Sequence, residues 1–165
     1  MILIKHVLVA TDFSETSGVA LKYGRDLART FGATLHVVHA VDLLAARIPM
    51  SQGHGYDLDK LQHEVEDSAR TALAELVTDD DRKSLHAQQA VVAALSASDA
   101  ILDYARDKMV DIIVIGTHGR HGLSRLVMGS VAERIVRSAP CPVLTVRATE
   151  HEFVRPDALE AVKQA

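Results

Sequence analysis

The chain has 165 residues, of which 48% are hydrophobic and only 4% aromatic, so one domain with an aliphatic core is expected rather than two very small ones. A formal charge of −4 argues against broad electrostatic attraction to nucleic acid or to an anionic membrane. Cys141 is the single cysteine, which excludes an intrachain disulfide and fits a reducing compartment.

The opening run from Ile2 to Ala10 reads as a first strand. Lys5 and His6 interrupt it and Asp12 follows soon after, so it lacks the pattern of a secretory signal. No stretch approaches the ~18–20 apolar residues that span a bilayer. A cytoplasmic protein is therefore expected, with no membrane insertion. After the loop Thr11-Asp12-Phe13, Ser14 is placed to cap a helix whose apolar positions Ala20, Tyr23, Leu27, Ala28 and Phe31 recur at helical spacing. Gly32 stops that helix, and Ala33 to Ala40 forms the second strand.

Residues Asp42 to Gly55 contain Pro49, Gly53 and Gly55 and read as a loop, either a lid over a ligand or a dimer contact. A long amphipathic helix follows, with Leu58, Leu61, Val65, Ala69, Ala72, Leu73 and Leu76 on one face. The acidic cluster Asp79-Asp80-Asp81 ends it and is expected to be a solvated helix-end loop. Leu85 to Val92 is polar enough for an edge strand. Ser96 or Ser98 caps a third helix carrying Ile101, Leu102, Ala105 and Met109. The continuous run Ile112-Ile113-Val114-Ile115 is too short for most helices and fits a strand buried on both faces. A glycine-rich segment precedes a helix with Val131, Ile135 and Val136. Pro140-Cys141-Pro142 then leads into a last strand, Val143 to Val146. Strands alternating with helices imply parallel pairing through right-handed crossovers.

The segment after the fourth strand carries the chemistry. Glycines let main-chain N–H groups approach a ligand, and amides converging at a helix N-terminus suit phosphate. Ser130 adds a hydroxyl, and Arg120 and Arg125 add charge. The segment has no G-x-x-x-x-G-K-[ST] loop, and no G-x-G-x-x-G follows the first strand. His36 and His39, three apart on a strand, face opposite sides and do not share an ion. His118 and His121 lie in the glycine loop without a neighbouring carboxylate or thiolate, so no metal site is expected. Cys141 reads as a buried, inert thiol.

The spacing Gly116-x2-Gly119-x9-Gly129-Ser130, the opening Val7-Leu8-Val9-Ala10-Thr11-Asp12-Phe13-Ser14 and the closing Ala139-Pro140-Cys141-Pro142-Val143-Leu144 together resemble the universal stress protein family. The resemblance implies a single-domain, three-layer α/β fold over residues 1–147, with a charged tail from 148 to 165. Its sheet would be open and parallel, with five strands in the order 3-2-1-4-5 and helices on both faces. Ligands in such sheets sit where the strand order reverses, here between the first and fourth strands.

In ATP-binding members the glycine motif holds ribose and phosphates. Carried over by position, that side comprises Gly116, Thr117, Gly119, Arg120, Gly129, Ser130 and Val131, with His118 near the nucleotide. Ala10, Thr11 and Asp12 match the first loop, and Ala40 matches a position whose backbone meets the adenine. Asp12 either accepts from a sugar hydroxyl or the adenine amino group, or holds hydrated Mg²⁺, an ion that would come with the phosphates. ATP, ADP and AMP are not distinguished. The resemblance also implies a homodimer paired through Val143 to Val146, a covering that an exposed apolar edge strand needs. The leading expectation is a regulatory, stress-response ATP-binding module acting through dimer or partner contacts. The alternatives are a slow ATPase or nucleotidyl-transfer enzyme, and a scaffold whose contacts ignore nucleotide.

Overall fold

A computed structural model describes residues 1–43, 57–117 and 128–147. The elements run β1 (His6–Ala10), α1 (Glu15–Phe31), β2 (Thr34–Asp42), α2 (Leu58–Leu76), α3 (Asp79–Ser84), β3 (Gln88–Ala94), α4 (Ala97–Asp107), β4 (Ile112–Gly116), α5 (Ser130–Ser138) and β5 (Val143–Val146). The strands form one sheet in the order β3-β2-β1-β4-β5, and every pairing is parallel. The three-layer α/β architecture and the strand order agree with the expectation. Most of the 42–55 loop and all of the 148–165 tail lie outside the described residues. No described helix is long and apolar enough to cross a membrane.

Side chains alternate along each strand, so the sheet builds two cores. Val7, Val9, Leu35, Val37 and Val114 pack with α1 and α2 on one face. Leu8, Ala10, Val38, Ile113 and Ile115 pack with α4 and α5 on the other. β4 is covered on both faces, as its continuous apolar run requires. Gly24 brings α1 close to β1, because a Cβ there would collide with Val9 Cγ2. Ser14 Oγ accepts the Ser17 amide at 3.2 Å and starts α1. Gly32, at φ 62°, ends it with its N–H on the Ala28 and Arg29 carbonyls.

Several expectations are corrected. β1 begins at His6 rather than Ile2, because the amides of Lys5 and His6 donate to Asp111 Oδ2 at 2.7 and 2.9 Å. Ile2 and Leu3 are exposed. β3 is an edge strand but lies later than expected, since the Leu85 and Ala87 amides are held by the Asp81 carbonyl. On α2 only Ala69 and Leu73 are buried, and Val65 is exposed. The third acid of the Asp79-Asp80-Asp81 cluster is not solvated. The cluster opens α3, Thr78 and Asp81 form a reciprocal capping box, and Asp81 is 1% exposed against Arg25.

His36 and His39 do face opposite sides. His36 is buried in the α4 face, its Nε2 3.1 Å from His6 Nδ1 and its Nδ1 3.1 Å from Tyr104 Oη. Burial, then the charges of His6 and Lys108, lower its pKa from 6.5 to about 4. Above the ordinary value both folded and unfolded imidazoles are neutral and nothing is lost. Below it the unfolded chain takes the proton first. Stability should therefore fall between pH 6.5 and 4, by about 3 kcal/mol from this group at the lower limit. Melting curves across that range should show the slope in the wild type and a weaker one in His36→Gln. Equal slopes would discard the assignment.

Candidate functional site

At the C-terminal edge of the sheet, Ala10 of β1 lies beside Ile115 of β4. The chain leaves β1 toward β2 on one side, and β4 is followed toward β5 on the other, so a crevice opens between them. Two buried threonines build its walls. Thr11 donates its N–H to the Val38 carbonyl at 2.9 Å, and its own carbonyl accepts from His39 Nδ1 at 2.7 Å. Its hydroxyl oxygen accepts the Phe13 amide and lies 3.1 Å from Ser17 Oγ. Thr117 donates both N–H and hydroxyl to the Val146 carbonyl, at 2.9 and 3.2 Å, and its carbonyl accepts the Gly129 amide at 2.7 Å. Each threonine ties a loop to the neighbouring strand.

Gly116 joins the two walls. A Cβ there would stand 2.9 Å from Thr16 Cγ2 and 3.2 Å from the Thr16 carbonyl carbon, so only glycine lets the end of β4 reach the first turn of α1. Its place in the structure is therefore a close approach of main chains. Asp12 is half-buried at the same edge, with Oδ1 accepting the Ser14 amide at 3.0 Å in a turn that leads into α1. Phe13 takes φ 63°, a left-handed conformation that costs a residue with a side chain roughly 1–2 kcal/mol.

The opposite rim is the start of α5. Gly129 is its N-cap, and no side chain caps it. The helical ladder begins with the Glu133 amide on the Gly129 carbonyl at 2.9 Å, so the amides of Ser130, Val131 and Ala132 precede the first helical bond. They carry the positive end of the helix dipole, suited to an anion. Val131, Met128 and Ala40 are partly buried against the cluster that contains Ala10 and Ile115. Apolar contact thus lines one side of the edge, and amides the other.

The structure brings Ala10, Thr11, Asp12, Ala40, Gly116, Thr117, Gly129, Ser130 and Val131 to one edge of the sheet. His118, Gly119 and Arg120, like His121 and Arg125, lie outside the described residues. Sequence reasoning missed Met128, His39 and the conformation of Phe13. Adjacency to Gly129 was the only signal for Met128, and a left-handed phenylalanine has no sequence signature.

Two other features are less suited to an anion. A groove of about 620 Å³ between α4 and α5 holds Arg106, Arg134 and Arg137, but Asp103, Asp99 and Glu133 pair with them at 2.6–2.9 Å. Cys141 is half-buried rather than buried, and burial, then Asp111, raise its pKa, which keeps it a thiol.

The Universal stress protein family matches residues 3–147. Universal stress protein A homolog 1 of Coxiella burnetii is 33% identical over 147 residues, covering 86% of this chain and 95% of that protein. Among solved structures, UspA from Lactobacillus plantarum superposes with a TM-score of 0.75 at 23% identity, covering 89% of this chain and 100% of that one. A universal stress protein from Archaeoglobus fulgidus, solved in complex with dAMP, does so at 0.57 and 24%, covering 88% and 99%.

Proposed function

The chain belongs to the universal stress protein family, and from that premise we propose that it is a regulatory protein of the stress response that binds ATP or a related adenine nucleotide at the β1–β4 crevice. The observation that carries this reading is the start of α5. Amides without a side-chain cap lie at the same C-terminal edge of the sheet as the Thr11–Asp12 loop, and in this reading phosphate oxygens meet the first and ribose hydroxyls or the base meet the second. The dAMP bound by the Archaeoglobus relative supports an adenine nucleotide. Mg²⁺ accompanying the nucleotide would be held through the phosphates and would neutralise their charge. His118, Gly119 and Arg120, outside the described residues, are assigned to the nucleotide by family position alone.

Nucleotide occupancy acts through protein contacts in this reading. β5 is an edge strand whose Val143, Leu144 and Thr145 are half-buried in the single chain, and pairing of β5 with a second copy covers that edge. The test is equilibrium titration with ATP, AMP and GTP, joined to mass spectrometry of small molecules released on denaturation. One adenine nucleotide per chain, bound more tightly than GTP, is the expected outcome. A folded protein that binds no adenine nucleotide would overturn the reading. Sedimentation with and without ATP tests the dimer, and a monomer in both at micromolar concentration removes it.

A further inference from the structure

His39 sits on β2 beside the first wall of the crevice. β2 grips Thr11 twice: the Val38 carbonyl takes the Thr11 N–H at 2.9 Å, and His39 Nδ1 lies 2.7 Å from the Thr11 carbonyl. A carbonyl only accepts, so Nδ1 carries the proton. The imidazole also meets the Phe13 ring at 4.4 Å between centroids, tilted by 43°. Phe13 is the residue held at φ 63°, in backbone space that side-chain-bearing residues avoid; its amide on the Thr11 hydroxyl and the Ser14 amide on Asp12 hold it from within the loop, and the His39 ring meets it from outside. His39 touches the loop on both sides of Asp12, through the Thr11 carbonyl and through the Phe13 ring.

From this we infer that His39 is a positioning residue for the nucleotide site. It clamps Thr11 and Phe13 and so fixes the direction in which the loop presents Asp12. The inference rests on the nucleotide-binding reading for its functional consequence, but the clamp itself is testable without ligand. The pair also lines a groove of about 380 Å³ with Val41, Leu61 and Ala72, so one side of it borders open space while Phe13 packs on the core with the other. Trimming His39 should therefore leave the global fold in place.

Two variants separate the donor from the ring. His39→Leu removes the donor; His39→Asn keeps an N–H donor near the Nδ1 position. Hydrogen exchange on the nucleotide-free protein should show the Phe13 and Ser14 amides exchanging at least ~10-fold faster in His39→Leu, with Leu8 and Val9 of β1 unchanged. In His39→Asn most of that protection should return. ATP affinity should follow the same order, falling about tenfold in His39→Leu and recovering in His39→Asn, at a similar melting temperature. Unchanged loop exchange in His39→Leu overturns the clamp. Altered loop exchange with unchanged ATP affinity overturns its role in the site. Absence of ATP binding in the wild type refutes the nucleotide reading instead, and leaves the loop exchange to judge the clamp.

Discussion

Gly129→Val should abolish nucleotide binding while leaving the protein folded. Gly129 has φ −60° and ψ 144°, an extended conformation that valine adopts readily, so the substitution adds no backbone strain. Its amide still reaches the Thr117 carbonyl. The new side chain stands at the mouth of α5, where a phosphate needs the amides of Ser130 and Val131. Losing one or two charge-assisted hydrogen bonds costs about 3–4 kcal/mol, more than a hundredfold in Kd. Valine is a much poorer N-cap than glycine, but that costs the helix only about 1 kcal/mol, well short of the stability of a domain. Calorimetric titration with ATP reads the first effect, and a thermal melt reads the second. Wild-type affinity in this variant would remove the phosphate from the start of α5.

Asp81→Ala should be the most destabilising single change among the polar residues described above. The Asp81 carboxylate accepts from Arg25 Nε at 2.9 Å, from Arg25 Nη2 at 2.7 Å and from the Thr78 amide at 2.9 Å, and it is 1% exposed. Arg25 Nη2 also holds the Leu76 carbonyl at 2.9 Å, so this one pair locks the end of α2 and the start of α3 onto α1. Removing the acid leaves a largely covered guanidinium and an amide without their acceptor. Breaking such a pair costs about 3–5 kcal/mol, against a total stability of roughly 5–15. The melting temperature should drop by roughly 10 °C. Replacing both partners, as in Arg25→Met with Asp81→Leu, should recover much of the loss, because no charge is then left buried alone. A double variant no more stable than Asp81→Ala would show that the pair does not account for the effect.

The same pair sets an acid limit. Burial pushes the Asp81 pKa up, but hydrogen bonds from Arg25 and Thr78 and the Arg25 charge outweigh it, and the folded value lies below the ordinary carboxylate range. Its stabilising contribution is therefore complete above about pH 4 and is lost only as pH falls through the lower folded value. His36 weakens the fold earlier, from pH 6.5 downward. The two groups act in successive windows, which separates them in a pH series of melts.

Much of the fold was legible before any coordinates. Short continuous apolar runs in β1 and β4, and apolar positions at helical spacing in α1, marked the elements, and Ser14 and Gly32 marked the ends of α1. These signals are local: a capping oxygen or a left-handed glycine acts within one turn of its own position. The strand order came with the motifs at the two ends of the chain rather than with periodicity, since alternation alone does not say which strands are neighbours.

What the tertiary structure decided depends on partners far apart in sequence. Asp81 reads as one of three surface acids until the fold sets Arg25, 56 residues away, against it. The start of β1 moved because Asp111 takes the amides of Lys5 and His6. That Gly116 lies against Thr16 and Ser17 at the start of α1 was not readable from its spacing. The left-handed turn at Phe13 sets its ring against a histidine from another strand. The amino-acid sequence alone determined the alternation of elements, the caps of α1 and the family motifs, because short-range sterics and periodic burial write themselves into adjacent residues. Packing decided the buried ion pair, the close approach at Gly116 and the shape of the Thr11–Ser14 loop, because each is held by contacts between distant segments that no local pattern records.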